Sequence, residues 1–174
     1  MSKYNLIYPI TRENAALNFL KLFFPYHYTV GMAVEKNLSS GILDRHQTVI
    51  MWLIHSRGHE GRVLHRKVIE QLIIEWYELS SPAISKALRK LSQPPLEFLT
   101  IEESAESGRE KVISLTDKGV QFISEMIANG ERFINAIVQH LTDVQIHTGM
   151  EFMSRVGEVV ELEMDEDERK PAVG

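Results

Sequence analysis

The sequence predicts a mainly α-helical single domain interrupted by one two-stranded hairpin. Three observations carry this. Apolar residues recur at three- and four-residue spacing along most of the 174 residues. One region, residues 98–115, has two short strand-like runs instead. Capping residues, prolines and glycines fall at the ends of the periodic stretches. A chain of this length that is 44% hydrophobic can fill a core without disulfides or a structural metal.

Thr11 is placed to cap a first helix carrying Ala15, Leu17, Phe19, Leu20, Leu22, Phe23 and Phe24. Pro25 has no N–H to give to that helix and must kink or restart it before Val30, Val34 and Leu38. Asp44 with Gln47 three residues on forms a capping-box pattern ahead of Val49, Ile50, Trp52, Leu53 and Ile54, and Gly58 suits the end of that helix. A third helix is predicted over roughly 64–77, with Val68, Leu72, Ile73 and Trp76 on one side.

Ser81-Pro82 reads as a cap followed by proline at the first helical position. In the helix it opens, Ile84, Ala87, Leu88 and Leu91 form one narrow stripe, and Ser85, Lys86, Arg89 and Gln93 fall opposite. A short helix with an apolar back and a front of hydroxyl, amide and cationic groups suits a DNA major groove. Phe98, Leu99 and Ile101, a polar turn over 104–108, and Val112, Ile113 and Leu115 then form a hairpin. Directly after a helix-turn-helix pair, such a hairpin is a wing. Gly108 supplies the positive φ its tip needs, and Arg109 and Lys111 are placed to reach phosphates or a minor groove. Glu102, Glu103, Glu106 and Glu110 oppose that role, because carboxylates repel a phosphate backbone.

From Asp117 the helical period returns through Val120, Ile123, Met126 and Ile127, then Phe133, Ile134, Ile137, Val138 and Leu141. Asp143 is predicted to cap a last helix bearing Ile146, Met150, Phe152, Met153, Val156, Val159, Val160 and Met164. These terminal helices carry more apolar residues than a small winged module has core positions for, which predicts that they pack across a two-fold dimer axis.

Charge and composition exclude several functions. The net charge of −5 argues against indiscriminate coating of nucleic acid, although residues 57–90 hold seven cations against four carboxylates. With no cysteine there is no disulfide framework, thiolate metal site or thiol nucleophile. His55 and His59 have a metal-ligand spacing, but Gly58 is predicted to end the helix between them, so no metal and no cofactor are expected. Phosphate-binding glycine loops and nucleophile elbows are absent, and an enzyme is not expected. The stretch 22–34 is too short and too interrupted to span a bilayer, and residues 1–10 lack a signal-peptide pattern, so a cytoplasmic location is expected.

The order of helix, helix-turn-helix, wing and long terminal helices resembles the MarR family of bacterial transcription regulators over about residues 12–164. The segments Ser81-Pro-Ala-Ile-Ser-Lys-Ala-Leu-Arg-Lys-Leu91 and Gly108-Arg-Glu-Lys-Val-Ile-Ser-Leu-Thr-Asp-Lys-Gly119 carry the likeness. The resemblance implies a mainly α winged helix-turn-helix with a two-stranded wing and long N- and C-terminal dimerisation helices. Residues 12–38 and 117–164 would be those helices, 44–115 the DNA-binding lobe, and 165–174 an acidic, disordered tail. It implies double-stranded DNA as partner, bound by a homodimeric repressor at a pseudo-palindromic operator. Ser81, Ser85, Lys86, Arg89 and Lys90 would be recognition-helix contacts, and Arg109 and Lys111 wing contacts. It further places a pocket for a small aromatic or hydrophobic effector among Phe23, Tyr26 and Trp52. Two segments depart from the family pattern: Gln93-Pro-Pro-Leu96 replaces a shorter glycine turn, and Thr100-Ile-Glu-Glu103 is acidic where the strand is often basic. The competing class is a dimeric winged-helix module that binds protein with weak or no DNA binding.

Overall fold

A computed structural model describes residues 5–77, 79–104, 107–108 and 110–169, and their side chains except those of 75–77 and 164–169. Seven α-helices are present among them: α1 (Arg12–Tyr26), α2 (Met32–Leu38), α3 (Arg45–Arg57), α4 (Arg66–Tyr77), α5 (Ser81–Ser92), α6 (Asp117–Val138) and α7 (Asp143–Arg169). A small antiparallel sheet has the order β1 (Val63–His65), β3 (Lys111–Leu115), β2 (Leu99–Glu103). Two compact units divide the chain, 1–133 and 134–174. Among the described residues no helix is long and apolar enough to cross a membrane.

The predicted break at Pro25 takes a specific form. Pro25 lies inside α1, and a single π-helical turn, His27–Gly31, joins α1 to α2 through a Met32 N–H that donates to the His27 carbonyl. Widening one turn absorbs the disruption near the proline without ending the helical path. The N-terminal segment is tied to α1 by Asn18, whose side-chain oxygen accepts from the Ile7 N–H at 2.8 Å while its amide donates to the Ile7 carbonyl at 3.0 Å.

At the start of α3 the capping box is complete. The Gln47 N–H donates to Asp44 Oδ1 at 3.0 Å, and the Asp44 N–H donates to Gln47 Oε1 at 2.9 Å. The helix ends at Arg57 with Gly58 as its C-cap, so His59 is not on the helix that carries His55. Ile50, Met51, Leu53 and Ile54 from α3 join Ile69 and Ile73 from α4, Ile84, Leu88 and Leu91 from α5, Leu99 and Ile113 from the sheet, and Phe122, Ile123 and Met126 from α6 in one core. Each such side chain contributes about 1.5–3 kcal/mol by leaving water. The stripe predicted on α5, Ile84, Ala87, Leu88 and Leu91, is the buried face.

Four local expectations are corrected. Residues 63–65 form a third strand, because Val63, Leu64 and His65 pair with Ser114, Ile113 and Val112; α4 therefore starts at Arg66 and not at Leu64, and the sheet is three-stranded. Ser80, not Ser81, is the N-cap of α5, with the Ala83 and Ile84 N–H groups donating to its carbonyl at 2.9 and 3.1 Å. Proline at the second helical position is tolerated because that N–H has no intrahelical partner either. Thr142, not Asp143, closes the capping arrangement of α7, since its N–H donates to Gln145 Oε1 at 2.9 Å and its hydroxyl accepts from the Gln145 N–H at 3.3 Å. Finally, α7 continues through Arg169, so 165–169 are helical where a disordered tail was expected; residues 170–174 lie outside the described ones.

The wing joins α6 through a tight approach. A Cβ at Gly119 would collide with the Phe98 carbonyl oxygen, which also accepts from the Thr116 N–H at 3.0 Å. Only glycine lets the first turn of α6 lie this close to the start of β2. The Phe98 ring stacks on Phe122 with centroids 4.5 Å apart, fixing the same junction from the core side. Lys118 donates to the Pro95 carbonyl at 2.7 Å, which anchors the long connection after α5 to α6.

Within 1–133, α1 leaves Leu17, Leu20, Phe23, Phe24 and Tyr26 exposed. Within 134–174, α7 leaves Val144, Met150, Met153, Val160 and Leu162 exposed.

Candidate nucleic-acid interface

Helices α4 and α5 are joined by a three-residue connection, residues 78–80, and α5 is followed by the β2–β3 hairpin. With its apolar stripe buried, α5 turns Ser81, Lys86, Arg89 and Lys90 to solvent. Arg89 and Lys90 lie in its last turn, where they also complement the negative C-terminal end of the helix dipole.

Sheet register sorts the acidic strand. Leu99 pairs with Leu115, Ile101 with Ile113 and Glu103 with Lys111, and alternation puts these three pairs on one face. That face carries the fully buried Ile113 and borders α5. Thr100 and Glu102 point to the other side. Of the two strand carboxylates, Glu103 is therefore the cross-strand neighbour of Lys111, and Glu102 faces away from the recognition helix. Gly108 has φ +55° and supports the hairpin tip, with its N–H donating to the Ser104 carbonyl at 2.9 Å. Arg109 lies outside the described residues.

Between α5 and the sheet runs a cleft of about 160 Å³, lined by Arg66, Ser85, Leu88, Arg89, Ser92, Ile101 and Lys111. Three cations thus border one groove beside the recognition helix. Of the residues predicted as contacts, the structure brings together Ser85, Arg89 and Lys111 there. Lys86 is exposed on the same helix. Lys90 turns toward α3, its Nζ 3.8 Å from Asp44 Oδ2.

Both predicted serines are engaged in hydrogen bonds within the chain. Ser81 Oγ donates to Glu70 Oε1 at 3.2 Å, and Ser85 Oγ donates to the Ser81 carbonyl at 2.9 Å while accepting from Arg66 Nη2 at 2.8 Å. Arg66 also binds Glu70 Oε1 through Nε at 3.0 Å and Nη2 at 2.8 Å. These four side chains link the N-terminal halves of α4 and α5. The sequence reading missed Arg66 as a site residue, although its four-residue spacing from Glu70 was a visible signal for an ion pair.

At the tip end of the sheet, His65 Nδ1 lies 3.5 Å from Glu110 Oε2, an ion-pair distance without hydrogen-bond geometry. Of the expected effector trio, Phe23 and Tyr26 lie on α1 and Trp52 on α3. Phe23 packs edge-on against Phe24 and stacks on His27, Tyr26 is about half exposed, and Trp52 contacts His55 at a centroid distance of 5.9 Å. A wider depression elsewhere in residues 1–133 is lined instead by Lys36, Asn37, Ser40, Asn129, Arg132 and Phe133.

A helix-turn-helix whose second helix shares a cationic groove with an adjoining hairpin defines a winged-helix protein. Residues 43–119 match the family model described as a winged helix DNA-binding domain. At the level of sequence, no curated protein matches the chain significantly. Solved structures do match. MepR, described as a transcription regulator of the Staphylococcus aureus multidrug efflux pump MepA, is 14% identical, with 87% of this chain and 99% of that chain covered at a TM-score of 0.61. MarR is 15% identical, covering 81% of this chain and 96% of its own at 0.61. A mutant of S. aureus MepR bound to an oligodeoxyribonucleotide is 15% identical, covering 82% and 97% at 0.55. These likenesses show the fold: the chain has a winged-helix architecture similar to that of MarR and MepR.

Proposed function

We propose that the protein is a DNA-binding transcriptional regulator, a repressor that acts as a homodimer on a pseudo-palindromic operator. The observation that carries this reading is the groove in which Arg66, Arg89 and Lys111 meet beside the outward face of α5. Arg89 has a planar fork suited to guanine O6 and N7 in the major groove, and Lys86 stands on the same exposed helix. Lys111 and the wing residue Arg109 supply cations for phosphates or the minor groove. The MepR structure with a bound oligodeoxyribonucleotide supports the reading by likeness of fold. The apolar side chains left exposed on α1 and α7 support self-association, because a symmetric pair of chains covers such faces with like faces.

The test is binding to the DNA flanking the protein's own gene, measured against a scrambled duplex over a range of salt. Tighter binding to the flanking DNA, with affinity falling as salt rises, is the expected result. A dimer that binds neither duplex overturns the reading and favours the protein-interaction module.

A further inference from the structure

Arg66 belongs to none of the motifs that mark the DNA-binding lobe, yet its guanidinium lines the α5–sheet cleft with Arg89 and Lys111. Its bonds to Glu70 and Ser85 use the Nε proton and both Nη2 protons. The two Nη1 protons take part in none of them. Such a fork, immobilised by its own neighbours, loses little further freedom when it binds a second acceptor.

The acceptor follows from where the cleft lies. When a recognition helix fills a major groove and a wing reaches the adjoining minor groove, the sugar-phosphate strand dividing those grooves runs between helix and wing. In this protein that path is the cleft between α5 and the sheet. We propose that Arg66 is a backbone-phosphate contact, with Glu70 as the positioning residue that aims it, and that the phosphate sits between Arg66 and Lys111, leaving Arg89 at the rim of the cleft free to reach a base. The assignment rests on the DNA-binding reading above. Ser81 and Ser85 then act as scaffold for Arg66, since their protons are already donated to Glu70 and to the Ser81 carbonyl. Glu70 has a second effect: its carboxylate opposes the incoming phosphate, so the site combines tight aim with a moderated charge.

The experiment measures binding of the full chain to a mixed-sequence duplex of about 30 base pairs by fluorescence anisotropy between about 50 and 200 mM salt. Arg66→Ala should weaken binding about threefold to tenfold and reduce the slope of log K against log salt by about 0.9, the value for one lost phosphate contact. Glu70→Gln keeps an acceptor for Arg66 and removes the opposing charge, so it should bind more tightly and with a steeper slope. Thermal unfolding by circular dichroism checks the fold of each variant. Should Arg66→Ala fail to fold, Arg66→Gln, which retains a donor for Glu70, is judged by the same criteria. A folded Arg66 variant with wild-type affinity and slope overturns the assignment, as does a Glu70→Gln protein whose binding weakens. Wild-type protein that shows no salt-dependent binding removes the DNA-binding reading itself, an outcome visible before any variant is compared.

Discussion

Arg66 at the start of α4 donates a 2.8 Å hydrogen bond to the hydroxyl of Ser85 in the second turn of α5, tying the two helices of the helix-turn-helix together. Ser85 passes its own proton back to the Ser81 carbonyl at 2.9 Å. A residue that looks like a DNA contact in the sequence is thus part of the hydrogen-bonded link between α4 and α5.

Ser85→Ala is therefore expected to act on stability more than on sequence preference. It removes one hydrogen bond to a charged partner, worth about 1.5–3 kcal/mol when the partner cannot turn to water, and less here because Arg66 is about a quarter exposed. Urea unfolding should show a lower midpoint, and competition binding should show an unchanged preference among duplexes.

For Arg89→Ala the expectation is reversed. A bidentate contact to guanine is worth about 1–3 kcal/mol of discrimination, so affinity for a selected operator should fall while affinity for random DNA changes little. An unchanged cognate-to-random ratio in a folded variant would sink the base-reading role of this residue.

Gly119→Ala tests the junction of wing and α6. The added methyl collides with backbone at Phe98, which cannot swing aside as a side chain end would, and overpacking of this kind costs about 1–3 kcal/mol or more. The midpoint of chemical denaturation should drop accordingly, and Ser at this position should be no better tolerated.

Self-association is the fourth prediction. With Leu20, Phe24, Met150 and Leu162 all more than half exposed, the chain should sediment as a dimer at micromolar concentration. A single species of 20.0 kDa would contradict the homodimer and remove the reason for a two-half-site operator.

What the sequence determined by itself is local in origin. The stripe Ile84, Ala87, Leu88 and Leu91 is legible because 3.6-residue periodicity needs no knowledge of partners, and it is the buried face of α5. The Asp44–Gln47 capping box and the positive φ of Gly108 are equally short-range, each a matter of a few consecutive residues. Caps one residue out of place, at Ser80 and Thr142, show the limit of that reading, since neighbouring polar residues compete for one terminus and geometry selects between them.

Tertiary structure decided the rest. Val63–His65 is a strand because β3, some fifty residues later, offers it a pairing edge; three residues alone have no reason to extend. Register, set by Ile101 opposite Ile113, puts Glu103 beside Lys111 and turns Glu102 away, so the acidic strand does not present a uniform acidic face to α5. Lys90 faces Asp44 and Arg66 lies in the groove with Arg89 and Lys111 for the same kind of reason. Burial of the shared core fixes the angles between helices and sheet, and only those angles determine which charges, distant along the chain, come to stand beside one another.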